Sequence, residues 1–304
     1  MRTLVTGGAG FLGSHLVERL LDEGHHVDVV DDLTGGSLAN LAAARSDRTG
    51  RLTIHQVDVC DPGLSDLVVR REPDVVFHLA NHRGSRGSID EAVADAQVNI
   101  VGALNVIDAA QRAGAPKVVT AIGGSDLYSP ATPAELPLRE KHPQVPTHPH
   151  GVARRTVLDY LSLYREIHSL EFTALVTAEV YGPRRRRGLV VDAAAQARSG
   201  QVDLDPRSTT DLVHVDDVVD ALVKAIGKGG GLLVNVGTGV ETTVADLVAA
   251  IVEVVGCEPP EWEGRPGADR FALDPGRARI HLGWSAWTEL REGLAAVVDP
   301  PTAR

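Results

Sequence analysis

The chain is poor in sulfur and in aromatic side chains: its 304 residues include 2 cysteines, 1 methionine, 3 tryptophans, 4 tyrosines and 4 phenylalanines. Cys60 and Cys257 are too few for a disulfide framework and lack metal-ligand spacing, so we interpret them as buried thiols in a reducing compartment and expect no metal. No run approaches the roughly 18 apolar residues of a membrane span, and no charged leader precedes the first strand. We expect a cytoplasmic protein without a membrane partner.

Clustered positive charge is also scarce. The net charge is −11 at pH 7, and the only dense basic segment is the arginine run at 184–187. Proteins that bind nucleic acid neutralise phosphates with clustered lysine and arginine, so we do not expect nucleic acid as a partner. The arginine run is either a solvated loop or a contact for an anionic ligand.

Two patterns alternate along most of the chain. Short β-branched runs occur at 4–6, 27–30, 53–57, 75–79, 118–121 and 173–177. Longer segments between them, at 11–23, 89–113 and 151–168, have helical periodicity. The alternation predicts an α/β fold with a Rossmann-like, doubly wound parallel sheet.

A glycine-rich turn occupies residues 3–13, between the first strand pattern and the first helix pattern. Gly7 permits a tight turn, Gly10 lets the backbone approach a pyrophosphate, and Gly13 lets the helix pack closely on its strand. The helix N-terminus beyond the turn supplies N–H groups and partial positive charge for phosphates. The motif therefore predicts a dinucleotide site.

Acidic residues at the ends of the next strands indicate which dinucleotide binds. At Asp31 a carboxylate can accept hydrogen bonds from both ribose hydroxyls, and it would repel a 2′-phosphate. Asp32 strengthens this electrostatic bias, so the predicted cofactor is NAD rather than NADP. Asp58, at the end of the third strand, either lies near the adenine amine or caps a helix.

The texture of the sequence changes beyond residue 180, where glycine, proline and the arginine run interrupt the alternation. We expect residues 1–178, with a return segment at 211–239, to form the NAD-binding domain. Residues 179–210 and 240–304 would form a smaller, partly interleaved C-terminal substrate-binding domain.

These motifs resemble the extended short-chain dehydrogenase/reductase family, in particular its NAD-dependent epimerase/dehydratase branch, which acts on nucleotide sugars. Further matching segments are 78–81, 98–102, 180–183, 211–217 and 235–239. The resemblance implies a homodimer through the helices at 89–113 and 151–168. It also implies an NAD site lined by Gly7, Gly10, Phe11, Leu12, Gly13, Asp31, Asp32, Asp58, Val59, Leu79, Ala80, Asn81, Asn99 and Arg154.

The match fails at the family's catalytic positions. The family uses a Tyr-x-x-x-Lys pair, and none of the four tyrosines here has a lysine four residues later. The corresponding segment, 149–154, has His150 at the tyrosine position and Arg154 at the lysine position. Gly124 occupies the position of the family's serine or threonine, with Ser125 beside it.

Two substrate-contact positions also differ. Glu179 and Thr210 stand where the family often has asparagine and arginine. A carboxylate is gained and an arginine is lost, so a nucleotide diphosphate should bind less tightly. We therefore expect ordinary nucleotide sugars to bind poorly, unless other arginines compensate. Arg265 matches a late arginine that the family uses for phosphate.

Two functional hypotheses follow. In the first, an NAD-dependent enzyme oxidises, epimerises or dehydrates a small polar carbinol substrate such as a sugar. His150 is then the acid/base, Arg154 holds the nicotinamide ribose, and Ser125, Asp126 or Glu179 assists. In the second, His150 is a loop residue that replaced a tyrosine after catalysis was lost, and the chain is a silent NAD-binding protein that partners or regulates another enzyme.

Overall fold

The structure is a computed structural model that describes residues 1–46, 49–82, 89–263 and 269–298. In chain order its strands are β1 (Arg2–Thr6), β2 (His26–Asp31), β3 (Leu52–Gln56), β4 (Val75–His78), β5 (Lys117–Gly123), β6 (Glu171–Thr177), β7 (Glu179–Tyr181), β8 (Gln201–Val202), β9 (Thr209–Thr210), β10 (Leu212–His214), β11 (Leu232–Val236), β12 (Thr242–Thr243) and β13 (Glu261–Trp262).

The α-helices in the described ranges are α1 (Phe11–Asp22), α2 (Ala42–Ser46), α3 (Leu64–Arg71), α4 (Ala92–Ala96), α5 (Ala103–Arg112), α6 (Gly124–Leu127), α7 (Pro149–His168), α8 (Leu189–Ser199), α9 (Val215–Ala225), α10 (Val244–Val255), α11 (Gly276–His281) and α12 (Leu290–Val298). A π-helical segment, Gln97–Gly102, separates α4 from α5. None of the helices in these ranges combines the length and the apolar character that crossing a bilayer requires.

Seven strands form the main sheet, in the order β11-β6-β5-β4-β1-β2-β3. The order confirms the predicted Rossmann-like α/β fold. The central strands are buried on both faces, as parallel strands covered by helices must be, and Leu4, Val5, Val76 and Phe77 have no exposed surface. Strand order reverses at β1, which pairs with β2 on one side and β4 on the other. In such sheets, ligands bind beyond the carboxyl ends of the strands at this point.

The chain divides into two compact units. The first comprises Met1–Ser129, Pro143–Val176 and Val219–Val234. The second comprises Pro130–His142, Thr177–Val218 and the residues from Asn235 onward. In the second unit, α8, α10 and α12 enclose an apolar core that includes Val190, Ala193, Leu247, Ile251 and Leu294.

The helix predicted at 89–113 is not continuous. A 3-10 turn at Ile89–Glu91 precedes α4, and the π-helical segment interrupts the α-helical pattern before α5. A π turn widens the helix locally and is often found at functional sites. Here it holds Asn99, which is fully buried and is hydrogen-bonded through its amide.

A buried carboxylate organises the second unit. Asp211 has no exposed surface, and its two oxygens accept hydrogen bonds from the backbone N–H groups of Thr238, Gly239 and Leu273 and from the Thr238 hydroxyl. Burial raises the pKa of Asp211, although these hydrogen bonds oppose the rise. The carboxylate thus joins three segments that are distant in the sequence.

We expect Asp211→Ala to lower the free energy of unfolding by about 2–4 kcal/mol, because several buried donors lose their acceptor at once. The Asp203→Ala variant, which removes an exposed carboxylate of the same unit, is the control. Thermal unfolding followed by circular dichroism compares the two. If both variants melt at the wild-type temperature, Asp211 does not hold the segments together.

Candidate active site

The turn after β1 is built so that two backbone segments nearly touch. Gly7 has a φ of +69°, and a Cβ atom there would lie 2.7 Å from the backbone nitrogen of Ala80, just after Leu79. A Cβ atom on Gly13 would lie 2.2 Å from the Gly7 carbonyl oxygen. Larger residues at either position would push β1, α1 and the end of β4 apart.

The start of α1 fits a bound phosphate. Gly10 is its N-cap, and no side chain caps the helix there. Phe11 and Leu12 form the first turn, and the Phe11 ring packs edge-on against His15, 5.9 Å away between centroids. A helix N-terminus without a side-chain cap presents backbone N–H groups and partial positive charge to an anion. The glycine cradle and this helix start therefore suit a pyrophosphate.

The Asp31 carboxylate lies at the carboxyl end of β2 and is 7% exposed. It accepts hydrogen bonds from the backbone nitrogens of Ala9, at 2.9 Å, and Leu33, at 2.8 Å. Burial raises the pKa of Asp31, and the two backbone bonds oppose this. Each oxygen retains a lone pair that can accept from a ribose hydroxyl. Asp32 instead accepts from the backbone and hydroxyl of Thr34.

Asp58 accepts a hydrogen bond from the Cys60 backbone nitrogen at 2.8 Å. The N-cap of α3 is Gly63, so the helix-cap interpretation of Asp58 is wrong. Val59 is buried, and its carbonyl accepts from the Asn105 side chain. Asn81 follows β4 and is exposed. The assignment of Asp58, Val59 and Asn81 to the NAD site stays a prediction.

A buried polar network joins the π segment to α4 and α7. Asn99 Oδ1 accepts from the His82 backbone nitrogen at 3.0 Å and from Arg154 Nη2 at 3.4 Å. Asn99 Nδ2 lies 2.8 Å from both the His82 carbonyl oxygen and Asp95 Oδ1. His150 Nδ1 lies 3.1 Å from the same Asp95 oxygen. The network therefore brings His150, Arg154 and Asn99 together and adds Asp95, and the roles assigned to these residues stay predictions.

The other side of His150 faces α6. His150 Nε2 lies 3.9 Å from Asp126 Oδ2, and His148 Nε2 lies 3.5 Å from Asp126 Oδ1. The two imidazole rings stack at 6.5 Å between centroids and 11° between planes. Ser125 on the same short helix is exposed, whereas Asp126 is buried. Asp126 is thus the α6 side chain that faces His150.

The network holds His150 ready to act as a base. Burial and then the Arg154 guanidinium lower the pKa of His150 below its usual 6.5, against the opposing effects of Asp126 and Asp95. The same two causes lower the pKa of His78, which is fully buried, to about 3. Near pH 7 the His150 imidazole is therefore neutral, and it can take up a proton.

Glu179, the remaining predicted catalytic residue, belongs to the second unit. Its Oε1 lies 3.3 Å from Arg185 Nη2, so a residue of the arginine run partly neutralises it. Thr210 lies in β9, which pairs with β12. Arg265 lies outside the described residues. Neither Asp95 nor the Glu179–Arg185 ion pair was among the sequence predictions, because both depend on contacts that no motif spacing reveals.

The fold and this edge of the sheet define a dinucleotide-binding α/β protein of the extended short-chain dehydrogenase/reductase type. Residues 3–237 match the model of the NAD dependent epimerase/dehydratase family, and the chain belongs to that family. Its cofactor is NAD, which the cradle, the helix start and Asp31 fit.

The chain is similar to several nucleotide-sugar epimerases. It is 40% identical to the UDP-glucose 4-epimerase of Mycolicibacterium smegmatis, over 98% of each chain. The UDP-glucose 4-epimerase of Thermotoga maritima, solved with UDP-glucose, superposes with a TM-score of 0.88 at 31% identity over 99% of this chain and 98% of that one. The UDP-glucose 4-epimerase of Thermus thermophilus, solved with NAD, gives a TM-score of 0.87 at 30% identity, with the same coverage.

We expect the wild type to bind NAD about 10- to 100-fold more tightly than NADP, because Asp31 disfavours a 2′-phosphate and favours two hydroxyls. Asp31→Ala should narrow this ratio, while Asp66→Ala, which removes an exposed carboxylate of α3, should leave it unchanged. Calorimetric titration with both cofactors measures the ratio. Equal affinities in the wild type would contradict the role given to Asp31.

Proposed function

We propose that this chain is an NAD-dependent nucleotide-sugar epimerase in which His150 exchanges the proton that a tyrosine exchanges elsewhere in the family. The observation that carries the proposal is the buried network around His150. Two carboxylates face the imidazole, one toward each ring nitrogen, and a guanidinium lies one helical turn further along α7. An imidazole so placed has the groups that acid–base chemistry requires.

The chemistry needs one proton and one hydride to leave the same carbinol. NAD, when bound, supplies the reversible hydride acceptor. His150 takes the hydroxyl proton as the carbinol becomes a carbonyl, and it returns that proton when the hydride comes back to the sugar. A neutral imidazole suits the first step, and the imidazolium that it becomes suits the second.

Arg154 stands at the position of the family's lysine but differs from lysine in its proton chemistry. Its side chain is 3% exposed and donates to Asn99 Oδ1. A guanidinium keeps its charge at any physiological pH, so it cannot pass a proton onward. It can favour the neutral form of His150 and donate a hydrogen bond to the nicotinamide ribose, the role proposed for it here.

The similarity to UDP-glucose 4-epimerases supports a nucleotide sugar as substrate, with inversion at carbon 4 as the reaction. The pairing of Glu179 with Arg185 reduces the repulsion between that carboxylate and a diphosphate. The weaker binding expected for Thr210 in place of arginine stays a prediction. The substrate panel should therefore include uridine and thymidine diphosphate sugars.

His150→Phe should reduce turnover by about 100- to 10,000-fold and leave NAD affinity within a few-fold of wild type, because only the proton-exchanging group is lost. In the wild type, kcat should fall as the pH drops through a value below 6.5, where His150 becomes protonated and can no longer act as a base. Epimer formation measured by chromatography between pH 5 and 9 tests both expectations.

His281→Phe is the control, since His281 is an exposed histidine of α11 in the second unit. A His150→Phe protein with wild-type turnover would place the proton chemistry on another group. Wild-type protein that binds NAD and turns over none of the sugars would favour the alternative, a silent NAD-binding protein.

The partner proposed for the first unit is a second copy of this chain. Exposed apolar side chains occur along α7 and along the segment from α4 through the π turn. Ile167 is 63% exposed, Val93 83% and Val101 42%. On α7, Tyr160, Leu163, Tyr164 and Ile167 follow the spacing of one helical face. Helices of this kind on two copies can pack as a symmetric bundle.

Ile167→Glu should shift the protein from dimer toward monomer, because a carboxylate would have to be buried in the bundle. Ile280→Glu is the control, since Ile280 is 79% exposed but belongs to α11 of the second unit. Light scattering after size exclusion gives the mass, against 32.2 kDa for one chain. A wild-type monomer at tens of micromolar would contradict the dimer.

A further inference from the structure

We propose that Asp95 is a positioning residue that keeps the ring proton of neutral His150 on Nδ1, so that Nε2 is the atom that exchanges a proton with the substrate. This inference deepens the proposed function and rests on it, because the proton exchange with a substrate belongs to that function. The hydrogen-bond assignment on which it stands is independent of any turnover.

The hydrogen-bond partners of Asn99 determine which of its side-chain atoms is the oxygen and which is the NH₂ group. The His82 backbone nitrogen donates to Asn99 Oδ1 at 3.0 Å, which identifies that atom as the oxygen. The other atom is then the NH₂ group, with two hydrogens to donate. Its two shortest contacts are the His82 carbonyl oxygen and Asp95 Oδ1, each at 2.8 Å. Both hydrogens are thereby used.

The tautomer of His150 follows from that count. His150 Nδ1 lies 3.2 Å from Asn99 Nδ2, which has no hydrogen left to give it. It lies 3.1 Å from Asp95 Oδ1, and an ionised carboxylate oxygen only accepts. A hydrogen bond between these two atoms therefore requires the proton to be on Nδ1. In the neutral ring, Nε2 is then the basic nitrogen.

The unpaired oxygen of Asp95 argues against a purely structural role. Asp95 is 5% exposed, and its Oδ2 atom is buried with no hydrogen-bond partner among the described residues. Burying a carboxylate with one unsatisfied oxygen costs free energy, and such groups call for an explanation. Holding an imidazole that must carry charge during a reaction provides one, since the carboxylate stabilises the imidazolium.

The groups around Nε2 fit this assignment. Asp126 Oδ2 of α6 lies 3.9 Å from Nε2. His148 Nδ1 accepts from the Gly151 backbone nitrogen at 3.2 Å, so neutral His148 carries its proton on Nε2 and points it toward Asp126, 3.5 Å away. Among the described residues, the charged or titratable groups that face His150 are Asp95 from α4, Asp126 from α6, His148 at the N-cap of α7, and Arg154 from its own helix.

Nitrogen NMR of the full-length, ¹⁵N-histidine-labelled protein tests the tautomer without a substrate. The His150→Phe spectrum identifies the His150 signals among the 12 histidines. We expect a protonated Nδ1 and an unprotonated Nε2 in the neutral wild-type ring. We expect Asp95→Leu to populate the opposite tautomer, because it removes the acceptor and frees a hydrogen of Asn99 Nδ2, which can then donate to Nδ1. A wild-type ring protonated on Nε2, or the same tautomer in wild type and Asp95→Leu, would overturn the proposal.

Kinetics provide the second arm. Asp95→Asn should lower kcat by roughly 100-fold with KM nearly unchanged, and should move the acid limb of the kcat profile to lower pH because an anion beside His150 is lost. Asp90→Asn, an exposed carboxylate just before α4, should change neither. Wild-type kcat and an unshifted profile in Asp95→Asn would contradict the positioning role. The expected NMR result without any turnover would instead refute the proposed function and support the assignment.

Discussion

The hydrogen bond between Asp95 and His150 is the interaction on which the account of this site depends. It joins α4 to α7, and in the proposed tautomer it leaves Nε2 of the imidazole without a proton. The Asn99 amide donates to the same Asp95 oxygen and so holds the carboxylate in place. The π segment places that amide where it also reaches His82 and Arg154. A regular helix through residues 97–102 would rotate Asn99 away from these partners.

The electrostatics around His150 are a balance of opposing effects. Burial and the fixed charge of Arg154 favour the neutral ring, while two carboxylates favour the charged one. The net result is a lowered pKa, which gives a base at neutral pH and a ring that two anions can stabilise once it is protonated. In the family the proton is exchanged by the tyrosine phenol, and the lysine lowers the pKa of that phenol. Here an imidazole takes the place of the phenol, and its pKa is lowered by burial and by an arginine.

The sequence predicted the sheet and the NAD cofactor well, because their signals are local. Glycine at 7 and 13 is required by contacts at 2.7 and 2.2 Å, and Asp31 follows β2 directly. Asp95 was not predicted, because its role depends on a contact with His150, which is 55 positions away in the sequence. The choice between Ser125 and Asp126 depends on the rotation of a single turn of helix, and the capping role considered for Asp58 failed because α3 begins after Gly63.

In the proposed reaction, His150 Nε2 meets the reacting hydroxyl of the substrate. A crystal structure of the wild-type protein with NAD and a nucleotide sugar that cannot complete the reaction measures this contact directly. We expect His150 Nε2 to lie within about 2.6–3.2 Å of the sugar hydroxyl whose carbon faces the nicotinamide. A sugar bound at the nicotinamide with that hydroxyl held by another side chain, and His150 turned away from it, would contradict the account.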